Sequence, residues 1–209
     1  MTVKRIDALK IFAAERKEEL VITGVGAVGR ELYKVGHKDT NLYKIQMGFV
    51  SPMGLGLALA LPQRKVVVIE GDGSALMGLG AWATIANEAP GNLVLIVFDN
   101  GAYEGGGRHP TATAGKTRLE VMARGAGLEK EFICADLESF QVAVKEALAH
   151  EGPFFILVKV ELLDPDEDIP NHPFDMTENT YIFMRALSQE GLVEGWVEGV
   201  SASHRSARG

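Results

Sequence analysis

Two runs of apolar residues, each followed at once by a short polar turn, constrain the fold of this chain most strongly. The first run, residues 65–70, leads into Gly-Asp-Gly-Ser at 71–74, and the second, residues 92–99, leads into Asn100. Continuous apolar runs of this length are typical of strands buried on both faces of a parallel sheet. If the two strands are neighbours, Asp72 and Asn100 face one crevice at the carboxyl edge of that sheet.

Strand-like and helix-like patterns alternate along the rest of the chain. Strands are predicted at 19–23, 42–45, 65–70, 92–99, 132–135 and 154–160, and helices at 4–17, 27–35, 53–61, 80–89, 120–126, 137–150 and 176–189. This order predicts an α/β fold, a single three-layer domain whose mostly parallel sheet is covered by helices on both sides. The glycine-rich segment 101–116 is predicted to be a loop. The domain is expected to span residues 1–190, with 191–209 as a flexible tail.

The composition excludes several classes of function. The chain has 209 residues, 46% of them apolar, and a net charge of −7 without a basic stripe, which argues against nucleic-acid binding. No apolar run reaches the roughly 20 residues of a membrane span. Cys134 is the only cysteine, so neither a disulfide framework nor a cysteine-ligated cluster is expected. A cytoplasmic protein fits these features best.

The two polar turns carry the residue types that bind a magnesium diphosphate. Mg²⁺ takes oxygen ligands and shares its shell with phosphates, and Asp72 and Asn100 offer a carboxylate and an amide oxygen. Gly71 and Gly73 let the backbone approach a diphosphate closely, while the amides of Gly73 and Ser74 and the Ser74 hydroxyl suit its anionic oxygens. Either turn alone is a common loop pattern. Together, in this order and at this spacing, they resemble the signature of thiamine diphosphate sites.

The resemblance extends beyond these turns. The residues that carry it are Gly-Asp-Gly-Ser-Ala-Leu-Met at 71–77, Thr-Ile-Ala at 84–86, Asp-Asn-Gly-Ala-Tyr-Glu at 99–104, Pro-Thr at 110–111, Met-Gly at 47–48 and Gly-Leu-Gly-Leu-Ala-Leu at 54–59. On these motifs, residues 4–185 resemble the diphosphate-binding subunit of split thiamine diphosphate-dependent 2-oxoacid decarboxylases, of the sulfopyruvate and phosphonopyruvate decarboxylase type.

The resemblance implies roles for four further positions. Met47 should be the apolar residue that holds thiamine in its bent conformation. The backbone carbonyl of residue 45 should accept a hydrogen bond from the pyrimidine amino group, although the usual glycine is Ile45 here. Ala102 should give Mg²⁺ its third protein ligand, a backbone carbonyl, beside Asp72 and Asn100. Tyr103 belongs to the same cofactor-binding motif.

The resemblance also implies a partner. In the family, a glutamate on a separate pyrimidine-binding domain helps to activate the cofactor, and this chain has room for only one α/β domain. We therefore expect a hetero-oligomer in which an α subunit carries the activating glutamate. The isolated chain should turn over little or nothing.

The segment 105–109 departs from the family pattern. It reads Gly-Gly-Gly-Arg-His where these decarboxylases carry a Ser-Thr-Gly-Gly-Gln-like run. Arg108 can pair with the anionic tail of a small 2-oxoacid, and His109 can shuttle protons. A solvated arginine and a histidine that packs within the loop explain the same sequence equally well.

Three other functions stay open at this point. The same scaffold supports other thiamine diphosphate-dependent lyases and carboligases, and a non-catalytic subunit can bind the cofactor only to shape a complex. A third possibility is nucleotide binding through Gly-Val-Gly-Ala-Val-Gly at 24–29, but the acidic residue expected after strand 42–45 is missing. His172, between two prolines, is a further candidate for the site on position alone.

Overall fold

A computed structural model of the chain describes residues 3–164, 167 and 169–194. Its main sheet has six parallel strands in the order β2-β1-β3-β4-β8-β7. The bounds of these strands are Leu20–Gly24 (β1), Asn41–Ile45 (β2), Val66–Gly71 (β3), Leu93–Asp99 (β4), Lys130–Cys134 (β7) and Phe154–Lys159 (β8). A separate antiparallel hairpin is formed by Ala102–Tyr103 (β5) and His109–Pro110 (β6).

Eight helices are described, and they cover both faces of the sheet. Their bounds are Arg5–Glu15 (α1), Ala27–Gly36 (α2), Val50–Ala60 (α3), Asp72–Met77 (α4), Gly80–Glu88 (α5), Leu119–Ala126 (α6), Leu137–Ala149 (α7) and Met176–Gln189 (α8). Helices α1, α2 and α7 form one layer, and α3, α4, α5, α6 and α8 form the other. Alternate residues of β3 enter the two cores, since Val67 and Ile69 pack on one side and Val66 and Val68 on the other.

This architecture confirms the predicted three-layer α/β fold and its parallel sheet. The largest shift of a helix start is at α3, which begins at Val50 rather than at residue 53. Pro52 lies in its first turn, where a missing backbone N–H costs no hydrogen bond. The predicted loop 101–116 contains the β5–β6 hairpin and two short 3₁₀ turns, Glu104–Gly106 and Ala112–Ala114.

The chain after α8 continues to pack for a few residues. Leu192 and Val193 contact the core beneath the α3 layer. The rest of the predicted tail, residues 195–209, lies outside the described residues, so the domain boundary at 190 and the tail stay predictions. None of the described helices is both long enough and apolar enough to cross a bilayer.

Candidate active site

The two polar turns singled out in the sequence lie side by side at the carboxyl edge of the sheet. Strands β3 and β4 are parallel neighbours, and Gly71 is in register with Phe98. The chain therefore leaves both strands at the same level, with residues 71–74 beginning α4 and Asn100 beginning the loop after β4. The carboxyl edge is where ligands bind in sheets of this kind.

Asp72 is deeply buried at this edge of the sheet. It is 1% exposed, and its carboxylate accepts hydrogen bonds from the backbone of Asn100 and from the hydroxyls of Thr111 and Thr113, the latter at 2.9 Å. Burial raises the pKa of Asp72 and the nearby charge of Asp99 raises it further, whereas these hydrogen bonds lower it. In the described part of the chain, no basic side chain forms an ion pair with Asp72.

The negative charge of Asp99, one residue before Asn100, is balanced by a cationic side chain. Lys159 forms an ion pair with it, and the backbone N–H of Gly101 and the hydroxyl of Thr113 donate to it at 3.1 and 2.8 Å. Asp99 thus has a cationic partner, while the neighbouring Asp72 has none among the residues that the structure describes. A buried carboxylate without a countercharge is the arrangement that a bound cation would stabilise.

The oxygens near Asp72 suit a hard cation. Asn100 Oδ1 accepts the N–H of Ala102 at 2.9 Å, and an amide oxygen retains a second lone pair. The loop is closed behind these residues because the N–H of Thr111 donates to the Gly101 carbonyl at 2.9 Å. Among the described residues, no group of three or more His, Cys, Asp or Glu could hold a metal ion. A metal at Asp72 would therefore rely on amide, carbonyl and ligand oxygens, which is the chemistry of Mg²⁺.

The two glycines of the turn differ in how closely other groups approach them. A Cβ on Gly73 would lie 2.4 Å from Cε1 of Tyr103, so the tyrosine ring packs directly against this backbone. A Cβ on Gly71 would meet its nearest atom only at 3.9 Å, which leaves the backbone of the turn open. Tyr103 is therefore at the site, while its contact with a cofactor stays a prediction.

The turn after β2 reaches the same edge and carries two predicted residues. Met47 and Gly48 are half-buried, and the N–H of Gly48 donates to Ser74 Oγ at 3.2 Å. The carbonyl of Ile45 already accepts the N–H of Val25 at 3.0 Å. A carbonyl oxygen has two lone pairs, so one of them remains for the predicted contact with an amino group.

Arg108 and His109 lie on the exposed side of the hairpin. Arg108 has a left-handed backbone conformation, and its guanidinium donates to the carbonyl of Leu163 beside a cavity of about 370 Å³. Glu104 fixes the hairpin from the same side, since it accepts from the Leu163 N–H at 2.8 Å and pairs with the buried Arg5 at 2.9 Å. The substrate and proton-transfer roles of Arg108 and His109 stay predictions.

Two further expectations concern residues outside the two polar turns. The glycine-rich turn 24–29 does join β1 to α2, and β2 ends at Ile45 without an acidic residue after it. His172 packs in an aromatic cluster with Tyr33, Tyr43 and Phe174, and burial lowers its pKa. Its described contacts are those of a core residue and involve none of the groups around Asp72.

Sequence reasoning missed three residues that hold the site together. Thr111 and Thr113 donate to Asp72, and Glu70 accepts hydrogen bonds from Ser51 and from Ser74. Thr111 belongs to the Pro-Thr motif at 110–111, to which the sequence alone assigns no function. Glu70 could have been singled out as well, because an acidic residue within an apolar strand is unusual and indicates a specific contact.

Comparisons with known proteins show which family the chain is similar to. The family described as "Thiamine pyrophosphate enzyme, C-terminal TPP binding domain" matches residues 25–158. The sulfopyruvate decarboxylase subunit beta of Methanocaldococcus jannaschii is 37% identical over 191 residues, which are 90% of this chain and 100% of the relative. The phosphonopyruvate decarboxylase of Streptomyces hygroscopicus is 39% identical over 154 residues, 73% of this chain but only 38% of that longer protein.

A solved structure supports the fold. The thiamine diphosphate-dependent 4-hydroxybenzoylformate decarboxylase of Rhodococcus jostii RHA1 superposes with a TM-score of 0.67 at 23% identity, covering 77% of this chain and 33% of that one. The family predicted from the motifs is thus confirmed by sequence similarity and the fold by structural similarity. The chain belongs to the thiamine pyrophosphate-dependent decarboxylase family, in the group that includes the sulfopyruvate decarboxylase beta subunits.

Proposed function

We propose that this chain is the diphosphate-binding subunit of a thiamine diphosphate- and Mg²⁺-dependent enzyme that decarboxylates a small, anionic 2-oxoacid. The observation that carries the proposal is the buried carboxylate of Asp72, which pairs with no basic side chain of the described residues 3–164, 167 and 169–194 and lies beside Asn100 at the ends of β3 and β4. The names of the relatives, sulfopyruvate and phosphonopyruvate decarboxylase, point to the substrate class. A cytoplasmic location stays a prediction.

Five residues would hold the cofactor and its metal. Asp72, the side chain of Asn100 and the carbonyl of Ala102 would be the protein ligands of Mg²⁺. The N–H groups of Gly73 and Ser74 lie in the first turn of α4, where backbone donors have no partner within the helix, and they would bind diphosphate oxygens. When bound, thiamine diphosphate supplies an electron sink for the carbanion that forms as a 2-oxoacid loses CO₂.

Other residues of this chain would orient the substrate and the cofactor. Met47, in the turn that Ser74 ties to α4, would support the bent thiamine from below. Arg108 would exchange its contact with the Leu163 carbonyl for a sulfonate, phosphonate or carboxylate group of the substrate, because a guanidinium binds such anions in a bidentate way. His109 is exposed on β6, where it can exchange protons with solvent.

A partner subunit would complete the site on the α3 side. One exposed surface is formed by Phe49, which directly precedes α3, and by Met53, Gly56 and Ala60 of that helix; we call it the α3 face. Phe49 is 62% exposed and Met53 is 42% exposed. The face begins beside the Met47 turn and thus adjoins the proposed cofactor site. A contiguous exposed apolar surface of this kind marks a protein interface. We propose that the pyrimidine-binding subunit, which carries the activating glutamate, covers it.

The first experiment is a calorimetric titration of thiamine diphosphate into the chain, with and without Mg²⁺, alone and with the subunit that co-purifies with it. We expect binding that requires Mg²⁺ and that is lost in Asp72→Ala. Asp39→Ala, which changes an exposed aspartate elsewhere, is the control and should bind as the wild type does.

Turnover then separates the catalytic from the structural proposal. The complex should decarboxylate sulfopyruvate or phosphonopyruvate, and the isolated chain should not. Binding that is indifferent to Mg²⁺ or to Asp72→Ala would refute the metal site. Rapid decarboxylation by the isolated chain would refute the split active site.

A further inference from the structure

Glu70 is a buried carboxylate beside the site, and the proposed function gives it no role. It precedes Gly71 on β3, one of the central strands, and is 1% exposed. Its two oxygens accept hydrogen bonds from the hydroxyls of Ser51 and Ser74, and no basic group among the described residues acts on it. Because such a carboxylate is costly to bury, the groups that it binds indicate what it holds in place.

Ser74 connects Glu70 to the turn that carries Met47. Ser74 Oγ donates to Glu70 at 2.5 Å, and the same oxygen accepts the N–H of Gly48 at 3.2 Å. A serine hydroxyl has one proton, so the proton given to Glu70 is not available to a ligand at the edge of the sheet. In this arrangement the Ser74 hydroxyl is held between two groups of the protein, Glu70 and the N–H of Gly48. The hydrogen bond from this hydroxyl to the diphosphate, which the sequence leads us to expect, stays a prediction.

The end of α4 encloses Gly48 on another side. A Cβ on Gly78 would lie 2.7 Å from the Gly48 carbonyl oxygen, and a Cβ on Gly48 would lie 3.0 Å from Cβ of Met77. Gly48 also has a φ of 82°, which favours glycine. The turn therefore has little room to move while its hydrogen bond to Ser74 is intact.

We propose that Glu70 is a positioning residue, which orients the Ser74 hydroxyl so that it fixes the Met47–Gly48 turn against the diphosphate-binding turn. The inference rests on the proposed function, because the purpose of this contact is to place Met47 beneath a bound cofactor. Ser51 anchors the other oxygen of Glu70 to α3 and so keeps the carboxylate in one orientation. Loss of the link should affect the geometry of the cofactor more than its affinity.

The first test measures the link without any cofactor. Amide hydrogen exchange at Gly48 should accelerate at least about tenfold in Ser74→Ala and in Glu70→Gln, because its acceptor is removed or reoriented. Ser51→Ala is the matched control, since it removes a hydrogen bond from the same carboxylate but leaves Ser74 in place. Exchange at Val25, whose N–H donates to Ile45 at the same edge, should not change in any variant.

The second test separates positioning from binding in the complex with the partner subunit. In Ser74→Ala we expect kcat to fall about tenfold or more, as a small misplacement of reacting groups can cost, while the Kd of thiamine diphosphate at saturating Mg²⁺ stays within about threefold. Ser74→Thr keeps the hydroxyl and should restore most of kcat. If Ser74→Ala does not fold, Ser74→Thr and Glu70→Gln still report on the same contact.

Two results would overturn the inference. One is a Ser74→Ala variant with kcat unchanged but cofactor affinity about tenfold weaker or more, which would make Ser74 a direct diphosphate ligand. The other is equal acceleration of Gly48 exchange by Ser51→Ala, which would indicate general destabilisation. A wild-type complex that binds no thiamine diphosphate would instead refute the proposed function, while the exchange experiment could still succeed.

Discussion

Two threonine hydroxyls lie between the two carboxylates at the carboxyl edge of the sheet. Thr113 Oγ1 is 2.9 Å from Asp72 Oδ2, 2.8 Å from Asp99 Oδ1 and 2.8 Å from Thr111 Oγ1. The pair of threonines has two hydroxyl protons for these contacts and for the contact between Thr111 and Asp72. The hydroxyls thus lie between the two carboxylates, and both of their contacts with Asp72 are made to Oδ2.

We expect Thr113→Val to destabilise the chain by about 1–3 kcal/mol, because two buried carboxylates lose a donor that the isosteric valine cannot replace. The free energy of unfolding, measured by denaturant titration without metal, checks this value. Thr84→Val, at an exposed position of α5, is the control and should change stability by no more than about 0.5 kcal/mol. Equal effects of the two substitutions would show that the threonine hydroxyl does not hold the carboxylates.

The sequence predicted the residues at strand ends and missed those that support them. Asp72 and Asn100 could be assigned because each directly follows an apolar strand run, and parallel strands bring such positions to one edge. Thr111 and Thr113 lie 39 and 41 residues from Asp72, so their hydroxyls meet it only through the path of the loop after β4. No local pattern encodes that path.

At the scale of elements, α3 contains two glycines in opposite environments. A Cβ on Gly54 would lie 2.1 Å from Cγ2 of Val68 on β3, whereas a Cβ on Gly56 would have no atom within 4 Å. Gly54 therefore allows the helix to approach the sheet closely. Gly56 lies on the exposed α3 face and only adds to the conformational entropy of the unfolded chain.

This pair gives an internally controlled prediction for the isolated chain. Gly54→Ala should lower the free energy of unfolding by about 1–3 kcal/mol through overpacking against Val68. Gly56→Ala should raise it by about 0.5–1 kcal/mol, because alanine has the higher helix propensity. Thermal or denaturant unfolding of both variants measures the two effects. A stabilising Gly54→Ala would mean that α3 can shift away from β3 at little cost.

Local patterns predicted the elements of this fold with unequal success. The six strands of the main sheet were found because their apolar runs are bounded by turn residues, and α7 because its apolar residues follow a helical period. The β5–β6 hairpin was not found, since each of its strands has two residues. Its position depends on long-range contacts instead, such as the ion pair of Glu104 with Arg5 on α1.

The two helical layers of the whole molecule differ in what they expose. No charged residue occurs between Lys44 and Arg64, so the α3 face has an apolar surface without the charges that usually cover a solvated helix. In the opposite layer, Val142 on α7 is 59% exposed, but the same helix also carries Glu138, Lys145 and Glu146. An apolar residue isolated among charges is ordinary at a protein surface. This asymmetry supports the proposal that the partner subunit covers the α3 layer.

We therefore expect Met53→Glu to weaken association with the partner subunit by at least about tenfold, because a charge would be buried at the interface without a counterion. Val142→Glu places the same charge at a more exposed site in the opposite layer and should leave association unchanged. Sedimentation velocity of each variant, mixed with the subunit that co-purifies with the wild type, measures the shift. If Val142→Glu alone disrupted the complex, the partner would bind the α7 layer, and the cofactor site at the carboxyl edge would have to be completed from that side. If neither variant affected it, the α3 face would be free in the complex, and its apolar surface would belong to contacts between copies of this chain.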